Sequence, residues 1–322
     1  MGYPVMTPSF YKELIPDVKN PESGPKCDII ITPAAVEYVF SLSDVTVVKK
    51  LMSISEPLSY NMVNMDAEKE NMFADRVQAR LAKFPQLQYY WQIRMLIMNI
   101  LQRKNIVFEK RMLILNYAMK TVDGMFEKGQ PGLIPQFVNQ FIGMESYEQV
   151  LEYFKTIKPV FESALGEGIG FLKIFKTTPS FRSIMNTVYK NLGISGPETL
   201  STVDMNKYIT LKKNFITEVI KDKEHYIENI MINYVWSLSM PFAAEGIGIW
   251  DNYVFFCIIY NAIKVMLTCY MPGKNDDDFA EAIAEFDKAF RSGGLDIIAK
   301  TIRASKNAGN NNNGDLAILV VS

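Results

Sequence analysis

A long apolar run, Tyr253 to Met271 (YVFFCIIYNAIKVMLTCYM), constrains the fold more than any other segment. It is long enough to cross a bilayer as a helix. However, Asn261 and Lys264 lie near its middle, and a lysine at that depth costs about 2.5–3.5 kcal/mol on insertion scales. No second run of this kind accompanies it. We therefore predict no membrane span, and a buried central helix in a soluble helical bundle.

Helical periodicity dominates the rest of the sequence. In residues 107–126 the apolar side chains recur at steps of three and four, which places them on one helical face: Phe108, Met112, Leu115, Met119, Val122 and Phe126. The preceding run, QLQYYWQIRMLIMNILQRK, is apolar on most faces and should be buried more deeply. Only Asn105-Ile106 separates the two runs, which favours an antiparallel helical hairpin. The predicted fold is all-α, a bundle of about a dozen helices around this hairpin and the helix at 252–271.

Local signals predict the ends of further helices. Ser146 to Gln149 resembles a capping box that opens the helix YEQVLEYFKTIKPVFESAL, which Pro159 should bend. Pro179 can open the helix FRSIMNTVYKNL, and Gly193 can end it. The pattern predicts additional helices near 203–221, 225–239, 277–291 and 295–305.

Strand signals are few. Asp28–Thr32 and Leu316–Val321 are short β-branched runs that predict at most a minor two-stranded ribbon. Residues 1–26 contain five prolines, which predicts an extended N-terminal arm. We expect residues 27–306 to form a single helical domain and residues 307–322 to form an Asn-rich loop with an apolar tail.

Charge and composition limit the partners and the chemistry. The chain carries 34 basic and 35 acidic residues, so no global charge attracts it to nucleic acid. The chain has only three cysteines, Cys27, Cys257 and Cys269, and one histidine, His225. These are too few for a disulfide scaffold or a zinc site. The first residues do not resemble a signal peptide. We therefore predict a cytoplasmic protein that binds no metal and no nucleic acid.

The letters EGIG occur twice, at Glu167–Gly170 and at Glu245–Gly248. A phosphate-binding glycine loop needs a buried strand before it and a helix after it. Both copies instead follow helical patterns, and glycine at a helix end supplies the left-handed turn that stops the helix. We therefore interpret both copies as joints between helices.

An acidic stretch begins at Asp276. Asp277, Asp278, Glu281 and Glu285 lie on one helical face, as in the magnesium-binding motifs of class I terpenoid synthases. Those enzymes need a second acidic motif on a facing helix, and the first half of the chain offers none. Acids in a first turn also cap free N–H groups and favourably meet the helix dipole. Capping is the preferred interpretation, and a terpenoid synthase-like enzyme is the remote alternative.

Three segments together resemble the bacterial flagellin lysine-N-methylase family. They are IRMLIMNILQRKNIVFEKRMLIL (93–115), IENIMINYVWSLSMPF (227–242) and IWDNYVFFCIIYNAIKVML (249–267), and their order and spacing match. The residues that fit the family's pattern are Arg94, Arg103, Glu109, Arg111, Glu228, Asn229, Asn233, Tyr234, Pro241, Phe242, Asp251, Tyr253, Tyr260 and Lys264.

The resemblance implies methyl transfer from S-adenosylmethionine to a protein lysine, with a protein partner for which flagellin is a candidate. Such a substitution requires a neutral amine nucleophile, which an acid or a tyrosine can assist. The resemblance offers four candidate catalytic residues, Glu228, Tyr234, Asp251 and Tyr253. It assigns structural roles to Arg94 and Arg111.

The chain also departs from the family's pattern. Thr32 stands where the family has a cysteine, the rest of the cysteine-rich part is missing, and Lys288 and Ser292 replace a late arginine and histidine. Threonine cannot replace a thiolate as a soft-metal ligand, so we expect no metal or iron–sulfur cluster. Two hypotheses therefore stay open: a methylase-like enzyme with a degenerate centre, and a non-enzymatic helical interaction module.

Overall fold

The computed structural model describes residues 4–15, 24–33, 35–64, 77–175, 178–243, 247–293 and 320. Within these residues the fold is mostly helical with one small sheet, so the predicted helical class is confirmed. The chain divides into two compact units, where the sequence predicts a single helical domain. Unit 1 draws on Met1–Ser41, Ile54–Leu151 and Glu228–Tyr253, and unit 2 draws on Leu42–Ser53, Glu152–Ile227 and Val254–Ser322.

The sheet belongs to unit 1 and has four strands in the order β2-β3-β1-β4, so the predicted two-stranded ribbon is too small. Its strands are β1 (Pro4–Pro8), β2 (Cys27–Ile31), β3 (Val36–Phe40) and β4 (Tyr60–Asn64). β3 pairs antiparallel with β2, whereas β1 pairs parallel with β3 and antiparallel with β4. β3 is almost wholly buried, because it reads VEYVF and lies between two strands.

The predicted pairing of β2 with the tail at 316–321 lies outside the described residues. β2 pairs with β3, and of the tail at 316–321 only Val320 is described, as helical. Part of the predicted arm at 1–26 is ordered into β1 and a short helix, α1 (Tyr11–Leu14). The prolines of β1 stand at its two ends, where they are tolerated in a strand.

The hairpin predicted from the apolar pattern is confirmed in unit 1. It consists of α3 (Tyr90–Leu101) and α4 (Phe108–Glu127), which are joined by residues 102–107 and pack against each other. A short 3₁₀ helix, Pro85–Tyr89, precedes α3, and α5 (Ile134–Ile142) packs on α3. Buried apolar side chains such as Leu96, Met112 and Met119 form the core here.

Most remaining helices belong to unit 2. They are α2 (Val45–Met52), α7 (Phe161–Lys173), α8 (Pro179–Leu192), α9 (Met205–Asn214) and α12 (Asp276–Ser292). A π-helical turn, Phe215–Val219, follows α9. Three helices have residues in both units: α6 (Glu148–Phe154), α10 (His225–Ser237) and α11 (Ile249–Tyr270). The helix predicted near 295–305 lies outside the described residues.

Two of the predicted helix boundaries are confirmed, and one predicted helix is wrong. Pro179 begins α8, and Gly193 ends it with a left-handed φ of +79°, both as predicted. The single bent helix predicted from Tyr147 onward is wrong, because α6 ends at Phe154 and α7 begins at Phe161. Pro159 lacks an N–H and disfavours helical geometry in the residue before it, so it interrupts the helix.

α11 contains the long apolar run and is buried inside the protein. It passes a length and composition test for a membrane span, yet 94% of its most apolar 18-residue window is buried. The two polar side chains near its middle, Lys264 and Asn261, have partners within unit 2. Lys264 Nζ donates to the Val320 carbonyl at 3.0 Å, and Asn261 Nδ2 donates to the Ala164 carbonyl at 2.8 Å. The predicted burial of this helix is therefore confirmed.

The two EGIG copies differ in structure. The first is not a joint, because Glu167–Gly170 lies inside α7. A Cβ atom at Gly168 would lie 2.8 Å from Cγ2 of Val265, so glycine permits a close approach of α7 to α11. In the second copy, the described residues Ile247 and Gly248 stand before α11, as expected for a joint.

Candidate functional site

A cavity of about 320 Å³ lies within unit 1, beside the first turn of α11. Four elements contribute to its wall: the start of α11, the second half of α4, the 3₁₀ turn before α3 and the segment after α10. The lining residues are Gln86, Asp123, Phe126, Phe242, Ile247, Gly248 and Ile249. Apolar and aromatic side chains form most of this surface, and Asp123 supplies its carboxylate. Such an apolar pocket with few polar groups is typical of ligand sites.

Asp123 is held in place by the helix that begins opposite it. Its Oδ1 accepts a hydrogen bond from the Trp250 backbone N–H at 3.2 Å, so it satisfies an N–H that α11 leaves unpaired. Burial raises the pKa of Asp123, while the Trp250 N–H and nearby Lys120 act in the opposite direction. The negative charges of Glu127 and Asp251 raise that pKa further. The cavity therefore contains a carboxylate that binds protons more readily than an ordinary aspartate.

Other charged and aromatic groups surround the start of α11. Lys120 Nζ lies 4.7 Å from the centre of the Trp250 ring, a cation–π distance. Asp251 is half-buried in the first turn of α11 and adds a second carboxylate near Asp123. Gly248 carries no side chain there, and a Cβ atom on it would lie 3.6 Å from Asp123 Oδ1. Asp123 is thus the acid that lines the cavity, and Asp251 adds a second negative charge close to it.

Phe242 forms an aromatic wall of the cavity, and two neighbours fix the segment that carries it. The Tyr90 ring stacks on the Phe242 ring with centroids 6.0 Å apart. Arg94 Nε donates to the carbonyl of Met240 at 2.7 Å. The Met240–Pro241 peptide is cis. The position of the wall therefore depends on residues of α3.

Arg94 belongs to a buried polar network. Its Nη2 lies 3.5 Å from Glu37 Oε2 and also donates to the Tyr90 hydroxyl, which in turn contacts Glu37 Oε1 at 3.4 Å. Thr32 Oγ1 donates to the Ala35 carbonyl at 2.9 Å and lies 3.4 Å from Glu37. Arg94, Glu37, Tyr90 and Thr32 are all buried, and burial raises the pKa of both Glu37 and Tyr90.

The four candidate catalytic residues are not brought together. None of the four lines the cavity, and Asp251 comes nearest to it through its electrostatic effect on Asp123. Glu228 is buried in an ion pair with Arg111, Tyr253 donates its hydroxyl to the Met112 carbonyl at 2.6 Å, and Tyr234 is fully buried. Asp123 has no part in the resemblance, and its weak signal in the sequence is an acid beside the apolar stripe of α4.

The acidic stretch at the start of α12 acts as a helix cap. Asn275 accepts from the N–H groups of Asp277 and Asp278, and Asp278 accepts from the Asn275 N–H in return. Lysines neutralise several acids of this helix: Lys223 pairs with Asp276, Lys49 with Asp277, Lys274 with Asp278 and Lys288 with Glu285.

Among the described residues, no group of three or more His, Cys, Asp or Glu side chains has the arrangement of a metal site. Burial raises the pKa of the Cys27 thiol to about 12 and raises that of Cys269 as well, so both resist becoming thiolates. His225 Nε2 lies 3.0 Å from the Met52 carbonyl within unit 2.

The described residues define a mostly helical protein with an aromatic-walled pocket that contains a carboxylate and lies beside the start of α11. The chain belongs to the family described as FliB lysine N-methylase C-terminal domain, whose model matches residues 94–319. This confirms the family resemblance found in the sequence. No curated protein and no solved structure matches the chain. All cavity residues except Gln86 fall within the matched residues, whereas the sheet precedes them.

Proposed function

We propose that this protein transfers a methyl group from S-adenosylmethionine to a lysine side chain of a protein, and that the acceptor lysine enters the cavity at Asp123. The observation that carries the proposal is a half-buried carboxylate of raised pKa in an aromatic-walled cavity, within the residues matched by a lysine N-methylase family. A flagellin in the cytoplasm is the candidate substrate, in keeping with the resemblance to flagellin methylases.

The cavity suits a lysine in both its charge and its apolar surface. A lysine side chain has a four-carbon apolar stem and a cationic head. Phe126, Phe242 and Ile249 offer apolar surface to the stem, and Asp123 offers a carboxylate to the head. The sulfonium of S-adenosylmethionine is also a cation, which carboxylates and aromatic rings stabilise in the same way. Asp123 and Asp251 are the residues that would hold these two cations.

Asp123 has a chemical role in this proposal because an ammonium has no lone pair with which to attack. Its raised pKa makes its carboxylate a better proton acceptor than an exposed aspartate, so it would take the proton that the amine must lose. When bound, S-adenosylmethionine would supply an electrophilic methyl group to that amine nitrogen, and the electron pair of the broken carbon–sulfur bond would stay on the thioether product.

The proposal is tested by methyl transfer and by binding. The purified protein is incubated with S-adenosylmethionine and flagellin, methyl-lysine is measured by mass spectrometry, and S-adenosylmethionine binding is measured by calorimetry. Asp123→Asn keeps the shape and the hydrogen-bond acceptor but removes the base. We expect it to lower the rate by about 10²–10⁴-fold, the usual contribution of a general base.

Glu148→Gln is the matched control, because it neutralises an exposed acid in the first turn of α6 that does not line the cavity. We expect this variant to keep the wild-type rate. Equal rates for wild type and Asp123→Asn would refute the role of Asp123. Binding of a lysine peptide without methyl transfer, and without S-adenosylmethionine binding, would favour the non-enzymatic interaction module.

A further inference from the structure

We propose that the buried Glu37–Arg94 pair positions the Phe242 wall of the cavity and thereby controls binding of the acceptor side chain. The identity of that ligand rests on the function proposed above, but the positioning itself does not. Glu37 and Arg94 are positioning residues here, since neither lines the cavity.

The first link runs through the backbone. Arg94 Nε donates to the carbonyl of Met240 at 2.7 Å, two residues before Phe242. Arg94 is fully buried, so water does not compete for this hydrogen bond. A charge-assisted bond of this kind is about twice as strong as a neutral one. The guanidinium thus ties the segment that carries the wall to α3.

The second link runs through an aromatic ring. Tyr90 lies one turn before Arg94 on α3, its ring stacks on Phe242, and its hydroxyl lies between Arg94 and Glu37. The same network therefore contacts both the backbone of the segment that carries Phe242 and the face of the Phe242 ring. A shift of Arg94 would disturb both contacts together.

Glu37 is the residue that keeps the guanidinium in place. It is fully buried on β3, and its Oε2 lies 3.5 Å from Arg94 Nη2. Without this carboxylate, Arg94 would be an uncompensated buried charge and would move toward water or another acceptor. Glu37 also precedes the residues that the family model matches, which begin at Arg94. The sheet of this chain thus supplies a support for the cavity from outside the matched residues.

The test compares Glu37→Gln with a control that breaks a different buried ion pair of unit 1. Arg111→Met breaks the Arg111–Glu228 pair, and Arg111 lies about 18 Å from Asp123 along α4. Two quantities are measured at matched global stability: the affinity for n-butylammonium, by calorimetry, and the hydrogen-exchange rate of the Phe242 amide. That amide donates to the Ser239 carbonyl at 3.0 Å, so its exchange reports on the wall without any ligand.

We expect Glu37→Gln to weaken n-butylammonium binding by about 2- to 30-fold and to speed exchange at Phe242 by a similar factor. Arg111→Met should change neither quantity. Equal effects of the two variants, or no effect of Glu37→Gln, would overturn the proposal. If Glu37→Gln does not fold, Tyr90→Phe takes its place, because it removes only the bridging hydroxyl, and the same outcomes decide.

The design separates the two proposals. If the wild type does not bind n-butylammonium, the acceptor site at Asp123 is refuted. The exchange rate at Phe242 still decides whether Glu37 and Arg94 position the wall.

Discussion

Breaking the Arg111–Glu228 pair tests whether these residues form the structural framework or take part in chemistry. Both side chains are buried, and the guanidinium also donates to the carbonyl of Leu101, the last residue of α3, and to the carbonyl of Ile106, in the loop between α3 and α4. Arg111→Met leaves the Glu228 carboxylate buried without its cation. It also removes the donors that these two carbonyls use.

The expected cost follows from this geometry. Removing one partner of a buried ion pair destabilises a protein by about 3–5 kcal/mol, because the other charge stays buried and unpaired. For a unit of this size, each kcal/mol lowers the thermal midpoint by about 2–4 °C, so we expect a fall of about 6–20 °C. Arg111→Met with Glu228→Leu removes both charges. We expect the double variant to recover about 1–3 kcal/mol relative to the sum of the two single changes.

Urea denaturation of the wild type, the two single variants and the double variant gives the four free energies of unfolding. Methyl transfer is measured on the same samples below their unfolding transitions. A loss under about 1 kcal/mol for Arg111→Met, or additivity within about 0.5 kcal/mol, would refute the reasoning. Lost methyl transfer in a folded Glu228→Leu protein would restore Glu228 as a catalytic candidate.

Three further predictions concern single positions. Gly168→Val should cost about 1–3 kcal/mol in urea denaturation because its Cβ would lie 2.8 Å from Val265, and Val265→Ala in the same chain should restore part of that loss. Gly170 lies in open space within α7, so Gly170→Ala should raise the free energy of unfolding by up to about 1 kcal/mol. Gly193 has a φ of +79°, so Gly193→Ala should lower it by about 1–2 kcal/mol. Calorimetric melting measures both changes, and changes of equal sign would contradict this prediction. The raised pKa of Asp123 makes the folded state bind more protons, so the contribution of Asp123 to stability should fall as pH rises from about 3.9 toward that raised pKa. Asp123→Asn should remove this contribution and leave that of Glu37, whose pKa burial also raises. A stability difference between wild type and Asp123→Asn that does not change with pH would argue against it.

Helix ends governed by neighbours in sequence could be predicted. Pro179 and Gly193 act through their own backbone preferences, so the sequence locates both ends of α8. The first EGIG copy could not be predicted in this way. Gly168 is tolerated inside α7 because Val265, far away in sequence, leaves no room for a larger residue. β4 was missed for a related reason: YNMVN has weak strand propensity, and its pairing with β1 is a long-range interaction.

The candidate site shows the same limit. Asp251 could be singled out because it opens a long apolar run in a segment that resembles a known family. Asp123 could not, because its raised pKa comes from burial and from the start of a helix 127 positions away. Glu37 was missed since a glutamate in a short strand gives no sign of a buried arginine partner on α3.

The division into two units has a practical consequence for dissecting this protein. The chain passes from one unit to the other at five points: after Ser41, Ser53, Leu151, Ile227 and Tyr253. No single cut can therefore release either unit as one continuous polypeptide, and a truncation after Tyr253 would sever α11. Effects of deletions will therefore reflect broken helices and not the functions of the separate units. Point substitutions in the complete chain are the better way to assign a function to each unit.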